Sequence, residues 1–549
     1  METVKVIEPR VNVKSDVEKN HIVLYGGLRV NEQTNPADSW GSVGTKPVQA
    51  LWTINPPSTQ TIVDRQMRIR AYFEITVDGE YQLGTNDALR QFPISTLCDV
   101  LTVQINGESI SDNLSDKLHA MLCYGNTAQS RIDTNSTTTS MPDNYQQYSD
   151  WATYGSAKNP LADYGENGME DPRGGFPVEK IGNNKIRVCL TEPILMSPFL
   201  SGFHGQDEGF VNVNQLNISY RWRSDLSQIL SHSSLGDDIN VVDVVMYQAP
   251  EILTTFITPD LTQPIPQLQV LPYYKTQDYI KTVQTLADGA VSRVISDSIK
   301  LSQIPRKLFL FCRHNRSNSN QNTSDSFLAI ERLSILWNNQ SGLFASATQQ
   351  DLFEISKRND CNLSWSQWSK YRGSVFCLEF GKDIGLLDNE APGVQGQYTI
   401  QIQMDVRNVS GAVFEPEFYQ IFLMEGTFSI AENMGRASLG NLTQQVVLAS
   451  KEASEMDYYH YKGLRGGGFF SNLKNFVNKI ARGVQKGVGY AEKFAPAVVG
   501  AFPELAPIAS ALPMVGNIAG SVRKATGGRM AGGRLAGGSM SRSSMRKRR

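Results

Sequence analysis

The sequence predicts an all-β protein of two similar sandwich modules followed by a separate basic tail. Apolar residues recur at every second position through residues 60–250, and strand-like runs continue to about 430, the period expected of half-buried strands. A hairpin phrase recurs about one module length further along the chain. Charge is uneven: residues 468–549 hold 14 Lys and Arg against Glu492 and Glu504, a net +12, so the remainder carries −14. A like-charged terminal block reads as an interaction tail.

Composition fits this organisation. The 549 residues, 40% hydrophobic and only 19% charged, can bury substantial cores and do not describe a disordered or coiled-coil chain. The N-terminus, METVKVIEPR, has no apolar stretch of signal-peptide kind, so export by that route is not expected. Residues 1–30 read as an extended arm.

The first module is placed at 31–250. Met67, Ile69, Ala71, Phe73, Ile75 and Val77 alternate with Arg68, Arg70, Glu74 and Thr76, and Leu101, Val103 and Ile105 lead into Asn106-Gly107, a strong hairpin signal. Further strand-like runs are Ile186 to Leu190, Val211 to Trp222 and Ile239 to Tyr247. Residues 124–185, rich in Asn, Ser, Thr, Asp and Gly, form a surface excursion.

The second module is placed at 251–450, after Ala249-Pro250. Its runs are Val294-Ile295, Ile299 to Leu301, Leu308 to Cys312, Leu328 to Trp337, Val375 to Phe380, Tyr398 to Val406 and Phe418 to Ile430. Asn315 to Asp325 reads as a polar surface loop. The stretch from Asp99 to Gly107 matches that from Glu331 to Asn339: an acid, alternating apolar residues, then an Asn turn. This favours two similar sandwiches over one irregular domain. Cys98, Cys189, Cys312 and Cys377 lie in apolar runs and, with Cys123 and Cys361, read as free thiols without a disulfide or metal framework.

No catalytic constellation is visible. Histidines at 21, 119, 204, 232, 314 and 460 lack metal-site spacing, and there is no phosphate-binding loop, dinucleotide fingerprint or nucleophile elbow. Glu379 and Asp405 are nominal glycosidase carboxylates, but solvated strand-face charges explain them as well. The body therefore reads as structural, with no cofactor or metal.

The tail carries the specific signals. After a linker at 451–467, Ser471 can cap a helix whose face holds Leu473, Phe476, Val477, Ile480, Val484 and Val488, with Phe469-Phe470 at its entry and Lys474, Lys479, Arg482 and Lys486 opposite. Such a helix suits a membrane interface, here through residues 468–490, or docking on the protein's own body. Arg542, Arg546, Lys547, Arg548 and Arg549 form an acid-free polycation suited to phosphate backbones, and equally to a nuclear-import signal. Three frames share an aliphatic residue or Met two places before Gly-Gly: Leu464-Arg-Gly466-Gly467, Met530-Ala-Gly532-Gly533 and Leu535-Ala-Gly537-Gly538. Composition alone gives roughly half such a frame in the whole chain. An extended, exposed Gly-Gly is easily threaded by a protease. A further frame, Leu24-Tyr-Gly26-Gly27, reads as chance or as a cleavage of the arm.

These frames resemble the recognition pattern of the adenovirus-type maturation protease. The run from Gly468 to Val477 resembles the start of the adenovirus membrane-lytic internal capsid protein, and the ends near Arg534 and Ser539 look like arginine-rich core peptides. The body, with phrases such as Ser298 to Leu308, is similar to double jelly-roll major capsid proteins of adenoviruses, Polinton-like viruses and virophages. The resemblance implies two jelly-roll barrels in tandem, a homotrimer forming a pseudo-hexameric capsomer of an icosahedral shell, and penton-type and minor capsid proteins as neighbours. It further implies a viral cysteine protease cutting after Gly467, Gly533 and Gly538, which would release a membrane-active segment, 468–533, and a genome-binding tail, 534–549. The setting would be the virion, with assembly in the host nucleus or cytoplasm. The alternative is a β-sandwich glycan-binding or attachment protein without proteolytic maturation.

Overall fold

The computed structural model describes residues 29–447, apart from 59–60, 82–86, 126–177, 200–208, 233–238, 259–266, 322, 324, 412, 432–433, 441 and 446. The eight principal strands of the first barrel are β1 (Arg29–Pro36), β2 (Gln49–Ile54), β3 (Arg68–Val77), β4 (Cys98–Ile105), β5 (Glu108–Asp112), β6 (Lys185–Pro193), β7 (Leu216–Trp222) and β8 (Glu251–Thr258), beside the shorter strands Ile62–Val63, Asp87–Leu89, Val178–Gly182, Leu230–His232 and Val241–Met246. The second barrel repeats the set as β9 (Leu268–Thr282), β10 (Val291–Ile295), β11 (Lys307–His314), β12 (Ala329–Trp337), β13 (Gln340–Leu343), β14 (Phe376–Glu379), β15 (Gln395–Arg407) and β16 (Pro416–Ala431).

The pairings are antiparallel and identical in order. Along the principal strands the first barrel's sheets run β1-β8-β3-β6 and β2-β7-β4-β5, with Val178–Gly182 beside β6, Val241–Met246 beside β3 and Ile62–Val63 beside β8; the second's run β9-β16-β11-β14 and β10-β15-β12-β13, with Met434–Leu439 beside β16 and Ile299–Gln303 beside β15. This is the jelly-roll order, and the eight principal strands of each barrel follow it in the same sequence. The alternation read from the sequence is the reason: on β3 the residues Ile69, Ala71, Phe73, Ile75 and Val77 are buried, and on β15 so are Tyr398, Ile400, Ile402, Met404 and Val406. The recurring phrase also occupies one position in both barrels, the β4–β5 and β12–β13 hairpins. Asn106 and Asn338 make their turns at φ 47° and 50°, a left-handed conformation that asparagine tolerates.

Three readings are corrected. The strand Glu251–Thr258 pairs with β1 and β3, so it belongs to the first barrel, and the division placed between 250 and 251 falls after it. The polar run 315–325 is not wholly a surface loop: Arg316, Ser319, Gln321 and Asp325 are buried while Ser317, Asn318 and Asn320 stay exposed, because the buried polar groups are paired across the joint described below. The β9 strand and the helix Gln349–Arg358 were not foreseen; β9 carries Pro272 and forms a sheet edge, where a missing N–H is tolerated. The helix begins with a Thr348/Asp351 capping box and buries Leu352, Phe353 and Ile355. All six cysteines are free thiols, five of them buried.

Candidate assembly surfaces

The barrels meet along one side, and the contacts fix their relative direction. At one end the β3–β4 loop of the first barrel touches the β11–β12 loop of the second: Arg90 pairs with Asp325 at 3.0 Å and donates to the Asn320 and Thr323 carbonyls at 2.8 and 2.6 Å. At the other end Asn106, in the β4–β5 turn, donates through Nδ2 to the Ala431 carbonyl at the end of β16, 2.9 Å away. Like ends therefore meet like ends, and the barrels stand side by side with the same end up.

The upper joint is a buried charge cluster. Around Asp325 lie Arg90, His119 at 3.5 Å and Arg313 at 3.9 Å. Burial opposes ionisation of Asp325, but the guanidinium groups of Arg90, Arg313 and Arg372 hold its carboxyl below the usual carboxylate range. Burial pushes His119 down to about 3, with Arg313 and Arg90 adding to the effect against the pull of Asp325, so the imidazole is neutral near pH 7. The Gln91 amide lies 2.6 Å from its Nδ1. Beside it Arg316 pairs with Asp116 at 2.9 Å. Lys117, also buried, is held by Asp112 of β5 and by Thr276 and Asp278 of β9, the last at 2.9 Å. Burial raises the Asp278 pKa, while the two carboxylates outweigh burial at Lys117 and keep it charged.

Each barrel also completes its neighbour's core. Leu271, Tyr273, Phe428 and Ile430, on β9 and β16, pack into the first barrel's apolar cluster. Ala120 and Cys123, from the β5–β6 excursion, pack into the second's, and Tyr124 donates to the Val375 carbonyl at 2.7 Å. Residues 29–447 accordingly lie in one compact unit.

Exposed apolar side chains mark a second surface. Strands β2 and β10 occupy the same edge of their barrels, and they leave Leu51, Val291 and Ile295 at 40%, 49% and 43% exposure; Val48, just before β2, is at 66%. These are exposed side chains rather than an open backbone edge, since Leu51 exchanges backbone hydrogen bonds with Asp38 and Ser39. The nominal catalytic carboxylates have ordinary partners: Asp405 pairs with Arg293 at 2.8 Å and Glu379 with Arg306 at 3.8 Å.

The frames at 464–468, 530–534 and 535–539, the apolar face from Phe469 to Val484 and the basic run from Arg542 to Arg549 lie outside the described residues, as does most of the 124–185 excursion. What sequence reading missed is the joint itself. Its signal was the polar run 315–325, whose residues look solvated until their partners on the other barrel are known.

Two upright jelly-roll barrels in one chain are the architecture of double jelly-roll capsid proteins. Residues 1–188 match the model of the Sputnik virophage major capsid protein first domain, and 274–372 with 369–426 match that of the major capsid protein V20 C-terminal domain. Capsid protein V20 of Sputnik virophage is 31% identical over 92% of this chain and 91% of its own length. In the cryo-EM structure of the Sputnik virophage, a chain 31% identical superposes with a TM-score of 0.70 over 82% of this chain and 95% of its own. The crystal structure of the mavirus major capsid protein, 15% identical, shares the fold with a TM-score of 0.61 over 82% of this chain and 98% of its own. The chain belongs to the virophage major capsid protein family. Its role is structural and non-enzymatic, as a component of the virion shell.

Proposed function

We propose that three copies of this chain form a pseudo-hexagonal capsomer that tiles an icosahedral shell. The observation that carries this reading is the parallel, same-end-up pairing of two barrels with one topology. Three such chains supply six like barrels around one axis, and a head-to-tail contact closes into a ring when each step turns by about a sixth of a circle. The apolar β2 and β10 edges supply contacts to other capsomers and to minor and penton-type proteins.

Light scattering on the purified full chain tests the capsomer. The expected mass is three times the 60.9 kDa of the chain; a monomer at concentrations that support shell assembly contradicts it.

The tail is proposed to act inside the shell. The ends of the body support this: β1 begins, and β16 ends, at the end opposite the β3–β4 and β11–β12 loops, the strand Met434–Leu439 then turns back beside β16, and Leu442 pairs beside Val394 in the β14–β15 connection. With those loops outward, residues beyond 447 leave the body on the inner side. There a viral cysteine protease cuts after Gly467, Gly533 and Gly538, residues 468–490 engage membrane, and Arg542 to Arg549 bind the genome without base specificity. Intact-mass analysis of the protein from native particles, with a body ending at Gly467, is the expected result. A single uncut chain contradicts the cleavage.

A further inference from the structure

The two asparagine turns are chemically matched except at one atom. In each, the backbone N–H donates to β7 or its counterpart: Asn106 to the Gln215 carbonyl at 3.1 Å, Asn338 to the Thr399 carbonyl at 2.8 Å. In each, the side-chain Oδ1 accepts a backbone N–H, from Asn214 at 2.8 Å and from Thr399 at 2.9 Å. The Nδ2 groups differ. That of Asn106 donates to the Asn212 carbonyl and, across the joint, to Ala431. That of Asn338 meets no protein acceptor among the described residues.

The surroundings differ in the same sense. Around Asn106, Gly435 approaches so closely that a Cβ there would lie 2.2 Å from the Ile105 carbonyl oxygen, its N–H donates to the Asn106 carbonyl at 3.2 Å, and Glu108 accepts from the Ala437 N–H at 3.1 Å. Ile110 of β5 is buried. Around Asn338, residues Asn339, Gln340, Ser341 and Gly342 are all exposed. Among the described residues, the second barrel thus leaves uncovered the hairpin that the first barrel has docked.

We infer that the β12–β13 hairpin, Ala329 to Leu343, is the contact by which one chain grips the next copy, seated on that copy's β1 edge near the end of β8, as the β4–β5 hairpin meets Thr276 of β9, Ala431 at the end of β16 and the following strand Met434–Leu439 within the chain. The occupant follows from repetition: β1 and β8 are the strands corresponding to β9 and β16, β1 is a sheet edge, and its Asn31, Glu32, Thr34 and Pro36 are exposed. The inference rests on the capsomer reading and names its interface.

The test compares wild-type full chain with Ser341→Arg on the hairpin and Thr34→Arg on the receiving edge, by light scattering with circular dichroism on the same samples. Both positions are exposed in the single chain, so each variant is expected to stay folded and to remain monomeric where the wild type forms trimers. Hydrogen exchange of the wild-type assembly needs no variant: amides at 338–343 are expected to slow at least about tenfold on assembly. Trimeric variants, or hairpin amides that exchange equally in monomer and trimer, overturn the assigned interface while leaving the capsomer standing. A wild type that stays monomeric overturns both.

Discussion

Phe428 lies on a strand of the second barrel yet packs in the core of the first, whereas Ala120 and Cys123 leave the first barrel to pack in the second. The exchange is unequal. The first barrel receives four large side chains on two long strands, and the second receives Ala120 and Cys123, with Met121 and Tyr124 packed partly buried against its core, from one short helix and the residues just after it. The first barrel therefore depends on its neighbour more than the second does, and the long β9 and β16, 15 and 16 residues against 8 each for β1 and β8, are the physical cause.

Perturbing single residues breaks or sharpens this comparison. Phe428→Ala should cost about 3–5 kcal/mol, the range for a buried aromatic truncated to a cavity, and hydrogen exchange should loosen the first barrel more than the second. Phe422→Ala, whose side chain lies in the second barrel's own core, should reverse that order. Asp325→Asn leaves the guanidinium groups of Arg90, Arg313 and Arg372 without their shared anion. It should cost about 3–5 kcal/mol by urea unfolding, as for a broken buried ion pair, and should loosen both barrels at the upper end.

Acid should act on the same joint. The folded-state pKa of His119, about 3, is below the ordinary value of 6.5, so the unfolded chain takes up the proton first. Stability from this group is complete above about pH 6.5 and falls as pH drops toward 3, by about 1.4 kcal/mol per unit within that window. His314, lowered to about 4 chiefly by burial, acts in the same direction. His119→Gln should flatten the acid side of a stability-against-pH profile measured by urea unfolding; an unchanged slope would remove His119 from the account.

Smaller effects separate the two turns. In the monomer, Asn106→Ala should cost about 1–3 kcal/mol more than Asn338→Ala, since the first removes two further part-buried hydrogen bonds. The difference should shrink in the assembly, where Asn338 gains its own partner. Arg293→Ala, at an exposed pair with Asp405, should cost less than about 1 kcal/mol by the same unfolding measurement.

Much of the fold was legible in the sequence because strand alternation reports burial directly, and because Asn106-Gly107 and Asn338-Asn339 sit in matching phrases. The joint was not. Arg90, Lys117, His119 and Asp325 look like surface residues in a linear reading, and what buries them is a partner about 200 residues away. Pro272 obscured β9 for a related reason: only its position at a sheet edge makes a proline acceptable there. The turn at Ala249-Pro250 resembled a module boundary because a strand's membership depends on its partner, and β8 pairs with β1 and β3.

The central claim is that the joint within the chain is the pattern for the joint between chains. Cryo-EM reconstruction of the purified assembly tests it most directly. The account predicts six upright barrels in one ring, with the hairpin at Asn338 against the β1 edge of the next chain in the way the hairpin at Asn106 meets β9. A ring whose two kinds of joint use different faces of the barrels, or chains meeting through β2 and β10 within the capsomer, would contradict it.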